Sequence, residues 1–282
     1  MITRFAPSPT GPLHLGHAYS ADVAYQMACR ENGTFLLRLE DIDQSRARAV
    51  WEDLIYEDLS WLGLDWPRPV MRQSERMEIY REALQTLWDD GLLFACTCTR
   101  RDIEAAASAP QEGAPLLGPD GIVYPGTCRH RKRSAALLVP PQDAALRLDM
   151  QSAVTNGLSF IETGYNPGTK VVHADHAIQN IGDVVVARRD MGTSYHLSVV
   201  VDDAAQSISH VVRGLDLAEA TDIHVILQRL LGLPTPVYHH HKLVRDEKGK
   251  RLAKRDDARA LKTYREAGLS ADEVWAMIRD PD

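Results

Sequence analysis

The chain has 282 residues, of which 44% are hydrophobic and 25% charged, and a formal net charge of −7 at pH 7. This composition is ordinary for a globular protein and allows one large domain or two modest ones. No apolar run approaches the roughly 20 residues that span a bilayer. A motif that begins at Arg4 leaves no room for a signal peptide, so we expect a cytoplasmic protein without a membrane partner.

The acidic balance argues against indiscriminate binding to nucleic acid, but a local basic surface would still permit RNA binding. Residues 129–133 are the densest basic patch of the sequence. A solvated charge run explains these residues at least as well when they are taken alone.

The N-terminal segment predicts a strand at residues 2–6 and an Ala-rich helix that begins near His14. The proline-rich stretch between them excludes regular structure. His14 and His17 are three positions apart, so both face one side of the first helical turn. Helix N-termini suit phosphate groups, and Gly16 would let a flat ring approach the backbone. The pattern therefore predicts a nucleotide site.

A second strand is predicted at residues 34–39, and it leads directly into Glu40 and Asp41. With the helix between them, the two strands form a βαβ unit with a right-handed crossover. Open α/β sheets bind ligands at the carboxyl ends of their parallel strands. One of these two acids is therefore a candidate for binding an ammonium group, while the other can cap the helix that follows.

The remaining pattern is a mixture of amphipathic helices and short strands. Helices are predicted at residues 47–62, 73–90, 101–108 and 217–231, and strands at 145–150, 157–162, 170–172, 184–188 and 208–213. The β-branched run at residues 197–201 favours a strand by propensity. Residues 239–241 are three successive histidines, which point to alternate faces of a strand, so we assign them no metal role.

Four cysteines are present, and Cys29 in the first helix is predicted to be a small buried residue. Cys96, Cys98 and Cys128 stand apart from it and indicate a metal site rather than disulfides in a reducing compartment. Three thiolates lack one ligand of a closed tetrahedral zinc site. Tyr124 and His130 are the candidates for that ligand, and generic chemistry favours the histidine. A structural metal would also help this loop-rich segment to fold.

Two distant segments resemble the signatures of class I aminoacyl-tRNA synthetases. Residues 14–17, His-Leu-Gly-His, resemble the HIGH signature, and the lead-in from residue 4 to 11 resembles the glutamyl branch. Residues 251–255 resemble the KMSKS loop, with Lys254 at the second lysine and Ala253 in place of the serine. Alone, the second segment reads as a basic surface loop, but the pairing favours a synthetase. The Cys/Tyr insertion is similar to that of the glutamyl-Q tRNA(Asp) synthetase family.

This resemblance covers nearly the whole chain and implies an α/β fold. The expected architecture is a Rossmann-like class I synthetase catalytic domain with a zinc-binding insertion and a short C-terminal helical segment. It divides into the first catalytic half at 1–94, the insertion at 95–175, the second half at 176–238 and the loop with terminal helices at 239–282. We expect no helical anticodon-reading domain after Lys254. The resemblance also places residues 195–203 on a helix, against their propensity.

The resemblance further implies a set of site residues. The glutamate-binding residues would be Arg4, Ala6, Ser8, Glu40, Tyr195 and Arg213. The ATP-binding residues would be His14, Gly16, His17 and Lys254, with the two histidines and the lysine catalytic. Mg²⁺ would accompany ATP. The zinc ligands would be Cys96, Cys98, Tyr124 and Cys128, since in the family a tyrosine four residues before the last cysteine completes the site.

The implied reaction is activation of L-glutamate by ATP without tRNA, through glutamyl-adenylate. The glutamyl group would then pass to queuosine at the wobble position of tRNA(Asp), whose anticodon loop would enter the active site of a monomeric enzyme. One alternative is a truncated glutamyl-tRNA synthetase that charges a tRNA 3′ end. Another is an inactive RNA-binding paralogue, which Ala253 favours.

Overall fold

The computed structural model describes residues 1–107, 116–130, 138–244 and 259–279. The KMSKS-like residues 251–255, including Lys254, lie outside the described residues, as do residues 131–133 of the basic patch. The central cavity, the cysteine cluster and the HIGH-like turn described below are all within the described ranges.

The secondary structure alternates helices and strands through most of the chain. The strands are β1 (Ile2–Phe5), β2 (Thr34–Leu39), β3 (Met71–Arg72), β4 (Leu93–Cys96), β5 (Leu117–Gly118), β6 (Gly121–Ile122), β7 (Ala145–Leu148), β8 (Ser159–Glu162), β9 (Gly168–Val171), β10 (Val185–Ala187), β11 (His210–Gly214) and β12 (Val237–His241). The helices are α1 (Leu15–Arg30), α2 (Ala49–Trp61), α3 (Met77–Asp89), α4 (Arg100–Ala107), α5 (Met150–Ala153), α6 (Ala174–His176), α7 (Tyr195–Ala205), α8 (Thr221–Leu230), α9 (Leu261–Glu266) and α10 (Ala271–Ile278). Helical turns of other types occupy Gln73–Arg76, Ala177–Ile181 and Leu215–Leu217.

Parallel strands form the core of the catalytic half. β1 pairs with β2, and β2 with β3, while β11 pairs with β12, and β12 with β8. The two groups meet where the Ser209 N–H donates to the Ile2 carbonyl at 3.0 Å. The carboxyl ends of β1, β2 and β11 therefore open on the same edge, where sheets of this type bind ligands.

A separate antiparallel sheet joins β4, β7 and β10, with β7 in the middle. The expected boundary between residues 94 and 95 falls inside β4. Phe94 belongs to a small buried cluster with Cys96, Tyr124 and Cys128, apart from the two large hydrophobic clusters. The expected boundary therefore falls within a strand that pairs with β7, and Cys96 is the last residue of that strand.

Two expectations from local sequence are wrong. Residues 197–201 are helical within α7, which begins at Tyr195 and is capped by Ser194, whose Oγ accepts from the Leu197 N–H at 3.4 Å. α7 packs against α3, α8 and β10, and burial on these sides overrides the β propensity of its valines. Cys29 is exposed rather than buried, because the alanines of α1, including Ala28, form its packed face.

The C-terminal helices pack on the first half of the chain. The Trp275 Nε1–H donates to the Leu62 carbonyl at 3.1 Å, and Arg279 Nε lies 2.9 Å from Asp22 Oδ2 on α1. Helix α9 begins directly after Ala260, which forms an isolated antiparallel bridge with His14. Within the described ranges, no helix combines the length and the apolar character that crossing a bilayer requires.

Candidate active site and metal centre

The first turn of α1 is closed by its own two histidines. His14 is the N-cap, and its Nδ1 accepts from the Gly16 N–H at 3.1 Å, while His17 Nδ1 accepts from the His14 N–H at 3.2 Å. This reciprocal pairing is a capping box made of imidazoles. A neutral imidazole whose Nδ1 accepts carries its proton on Nε2. Both rings are therefore held in the tautomer whose Nε2–H can donate to an anion.

A central cavity of about 630 Å³ lies beside this turn, at the carboxyl ends of β1, β2 and β11. Most of the predicted glutamate and ATP residues line it. They are Arg4, Ala6, Ser8, His17, Glu40, Tyr195 and Arg213. The His14 ring adjoins this wall, with its centroid 3.7 Å from that of His17. Residues separated by up to about two hundred positions in the chain thus share one cavity.

Glu40 and Asp41 have different surroundings. Glu40 lines the cavity, and Arg38 Nη2 lies 3.3 Å from its Oε1. Burial raises the pKa of Glu40 above its ordinary value, although the nearby arginines oppose this shift. Asp41 accepts from the Ser74 N–H at 2.8 Å and from its hydroxyl at 2.6 Å. Asp41 therefore fixes the turn before α3, and Glu40 is the acid that faces the cavity.

Asp202 and Asp203 on α7 anchor the arginines behind the cavity, a role that the sequence analysis missed. Asp203 Oδ1 lies 3.0 Å from Arg4 Nε and 2.7 Å from Arg38 Nη1. Asp202 Oδ1 lies 2.6 Å from Arg76 Nε. Burial acts to raise the pKa of Asp203, but Arg4 and Arg38 outweigh it, so this pKa is lowered and the carboxylate is ionised. The sequence signal that could have indicated this role is the pair of adjacent acids directly after three valines at residues 199–201.

Arg213 is held differently from Arg4 and Arg38. Its guanidinium donates to His240 Nε2 at 3.1 Å, to His224 Nδ1 at 3.0 Å and to Thr221 Oγ1 at 2.7 Å. No carboxylate of the described residues lies within ion-pair distance of it. An arginine has five N–H donors, so one on each Nη remains beyond these contacts. The arrangement can bind a carboxylate in a bidentate manner.

Tyr195 completes this wall at the start of α7. Burial raises the pKa of its hydroxyl, while the positive charge of Arg213 acts to lower it. It therefore remains a protonated donor beside the arginine. Tyr195 and Arg213 were expected site residues, but His240 was not, because a run of three histidines does not indicate which ring is buried.

The three separated cysteines converge. The sulfur atoms of Cys96, Cys98 and Cys128 all lie within 4.8 Å of one another. Cys98 Sγ and Cys128 Sγ are 3.5 Å apart, well beyond the disulfide bond length of about 2 Å. Burial raises the pKa of Cys98 to about 11. Three soft sulfur donors at this spacing fit a zinc ion, which would deprotonate them on binding.

The tyrosine hydroxyl lies among these sulfur atoms. Tyr124 Oη is 3.4 Å from Cys96 Sγ and 3.5 Å from Cys98 Sγ, and it accepts from the Cys128 N–H at 2.8 Å. The His130 side chain is exposed. The donor set nearest to a shared metal position is therefore three thiols and one phenol.

The chain is similar to known proteins over nearly its full length. Residues 1–279 match the family described as tRNA synthetases class I (E and Q), catalytic domain. The chain is 60% identical to a glutamyl-Q tRNA(Asp) synthetase from Rhodobacter capsulatus, over 99% of both chains. It is 40% identical to a protein of the same name from Geobacter sulfurreducens, over 94% of this chain and 79% of that one.

A solved structure shows the same fold. The glutamate tRNA ligase from Elizabethkingia meningosepticum, in complex with its amino acid, superposes with a TM-score of 0.70 and 28% identity. The match covers 91% of this chain and 52% of the ligase, so the chain spans about half of that protein. The expected Rossmann-like catalytic fold is confirmed. The chain belongs to the glutamyl-Q tRNA(Asp) synthetase family of class I synthetases, which are ligases.

Proposed function

We propose that the chain activates L-glutamate with ATP in the absence of tRNA and transfers the glutamyl group to queuosine at the wobble position of tRNA(Asp). The observation that carries the proposal is that Glu40 and Arg213 line the same cavity, which lies beside the HIGH-like turn. The names of the similar proteins supply the acceptor.

The cavity has the charges that a free acidic amino acid requires. Glu40 binds the substrate ammonium group, and Arg213 binds a substrate carboxylate, with Tyr195 beside it. Arg4, Ala6 and Ser8 complete the wall from the segment after β1. With the side-chain carboxylate of glutamate bound to Arg213, the neutral side chain of glutamine would leave the charge of Arg213 uncompensated. The site therefore favours glutamate.

Activation is an in-line displacement. The glutamate α-carboxylate attacks the α-phosphorus of ATP, the bond to the β-phosphate oxygen breaks, and pyrophosphate leaves. His14, Gly16 and His17 position the nucleotide, and Lys254 stabilises the charge on the leaving phosphates. Mg²⁺ bound with ATP would supply further neutralisation of the phosphates. The protein contributes mainly orientation and charge.

The position of Ala260 supports the role of Lys254. Ala260 pairs with His14 at the start of α1. Six residues of chain span at most about 22 Å, so chain connectivity is compatible with the proposed role of Lys254 at a nucleotide on that turn.

We propose a structural zinc ion held by Cys96, Cys98, Tyr124 and Cys128. These residues come from the end of β4 and from the segment after β6. A metal there would join the end of β4 to the segment after β6 within the small buried cluster that they share.

Pyrophosphate exchange without tRNA tests the activation step. We expect exchange that depends on glutamate and does not respond to glutamine or aspartate. Transfer of radiolabelled glutamate should then occur to tRNA(Asp) that contains queuosine, and not to the same tRNA without queuosine or to tRNA(Glu). Charging of tRNA(Glu) would instead indicate 3′-end aminoacylation, and absence of exchange would indicate an inactive RNA-binding paralogue.

A further inference from the structure

Arg213 lies where two lines of polar contacts meet, one through the buried His224 and His196 and the other through the buried His240. On one side, Arg213 donates to His224, whose Nε2 lies 3.1 Å from Nδ1 of His196. The His196 Nε2 in turn lies 3.6 Å from Asp120 Oδ1. On the other side, Arg213 donates to His240, whose Nδ1 lies 2.5 Å from Glu162 Oε2.

Because Arg213 is the donor at the start of both lines of contacts, it determines the direction of the hydrogen bonds along each line. A guanidinium only donates, so His224 Nδ1 and His240 Nε2 must both accept. His224 then carries its proton on Nε2 and donates to His196, which carries its own proton on the side of Asp120. His240 carries its proton on Nδ1 and donates to Glu162. The two histidines that touch Arg213 are therefore neutral and have opposite tautomers.

Glu162 is well placed to fix one of these tautomers. It also accepts from the backbone N–H of His240 at 3.0 Å and from that of Gly164 at 2.6 Å. These contacts hold an ionised carboxylate, which can only accept, against Nδ1 of the ring. Glu162 and His240 are both less than 5% exposed, so water competes little for these bonds.

The contrast with the other buried arginines shows what this arrangement does. Arg4 and Arg38 share the carboxylate of Asp203, and Arg38 also lies 3.3 Å from Glu40, so each of these two arginines has a carboxylate beside it. A carboxylate in place of His224 or His240 would compensate Arg213 in the same way. Neutral acceptors satisfy the N–H groups and fix the plane of the guanidinium, but they leave its charge for a ligand.

We propose that His224 and His240 are positioning residues that hold Arg213 through neutral ring nitrogens, with Glu162 fixing the His240 tautomer, so that the arginine charge is directed to a substrate carboxylate. The inference rests on the proposed function of Arg213 in binding glutamate. It extends the site to residues that need not touch the substrate themselves.

Matched substitutions separate positioning from general structural support. Asparagine places an amide oxygen near the Nδ1 position of histidine, and glutamine places one near Nε2. His224→Asn and His240→Gln can therefore keep the acceptor for Arg213, whereas His224→Leu and His240→Leu remove it.

We expect the leucine variants to raise the glutamate KM in pyrophosphate exchange by about ten- to hundredfold. The ATP KM should stay within about twofold, and the amide variants should stay within a few-fold of the wild type for both substrates. Equal effects of the leucine and amide variants, or equal effects on both KM values, would overturn the inference. Thermal unfolding identifies any variant that fails to fold.

A direct readout of the tautomers does not depend on variant stability. Long-range ¹⁵N–¹H correlation spectra of the wild type should show His224 protonated on Nε2 and His240 on Nδ1. The opposite assignment for either ring would overturn the inference. Calorimetric measurement of glutamate binding separates failure of the proposed function from failure of the positioning role. If the wild type neither binds glutamate nor catalyses pyrophosphate exchange, the proposed function fails. If the wild type does both and the matched pairs do not differ, only the positioning role fails.

Discussion

Ala260 forms an antiparallel bridge with His14, and the adjoining Leu261 N–H donates to the Leu13 carbonyl at 2.8 Å. The chain that follows the KMSKS-like residues thus lies on the turn that carries the HIGH-like motif. This contact spans more than two hundred residues of sequence, and it supports the proposal that the two motifs belong to one site.

Replacing Lys254 by alanine should reduce the rate of glutamate-dependent pyrophosphate exchange by about two to three orders of magnitude, because an amine that neutralises developing phosphate charge is lost. The matched control is Lys262→Ala. Lys262 is exposed and pairs with Glu266 at 3.5 Å within α9, so exchange should stay near the wild-type rate. Near-normal exchange in the Lys254 variant would reject its catalytic role.

Metal analysis should distinguish Tyr124 from His130 as the fourth ligand. We expect one equivalent of zinc in the purified wild type, loss of metal in Cys96→Ser, and weaker retention in Tyr124→Phe under a chelator. His130→Ala and Cys29→Ser should keep full occupancy, because both side chains are exposed and Cys29 lies outside the cluster. Full occupancy in Cys96→Ser would contradict the ligand set.

Glu40→Gln should raise the glutamate KM about a hundredfold or more, since a buried ammonium would lose its counter-charge. Asp41→Asn is the matched control: it weakens the contacts to Ser74, so it should lower stability by about 1–2 kcal/mol but leave the glutamate KM nearly unchanged.

The same carboxyl group predicts a pH dependence of glutamate binding. Burial raises the pKa of Glu40, so its ionised fraction starts to fall at a higher pH than that of an ordinary glutamate. The wild-type glutamate KM should therefore rise on acidification, whereas the Glu40→Gln variant should show a flatter profile. Parallel profiles for the two proteins would argue against an ionised Glu40 in substrate binding.

His240 should make the stability of the fold dependent on pH. Burial, together with the charge of Arg213, lowers the pKa of His240 to about 4, against about 6.5 in an unfolded chain. Between these values only the unfolded chain binds the proton, so this stabilisation is complete above pH 6.5 and is lost as the pH falls towards 4.

The linked contribution is roughly 3 kcal/mol. Chemical denaturation at about pH 7 and about pH 4.5 measures it, and the His240→Gln variant should lose correspondingly less stability on acidification. An identical loss in wild type and variant would mean that other groups account for the acid sensitivity.

Local signals predicted the positions of most elements, and the family resemblance predicted most of the residues that line the cavity. Helix α1 begins where the proline-rich stretch ends, and β2 leads into Glu40 as expected. These features depend on local effects between residues that are close together in sequence, namely backbone restriction by proline and hydrophobic periodicity. The failure at residues 197–201 has the opposite cause, because contacts of α7 with α3, α8 and β10 outweigh the preference of its valines.

By itself, the sequence determined the class of fold and the residues that carry charge or sulfur at the site, because motif chemistry is written in neighbouring residues. Tertiary structure alone decided which of those groups are compensated. It pairs Arg4 with Asp203 but surrounds Arg213 with neutral histidines from α8 and β12. It also brings Tyr124, and not the exposed His130, among the three thiols. The availability of a charge or a ligand depends on through-space partners, and chain order does not specify these before the elements pack.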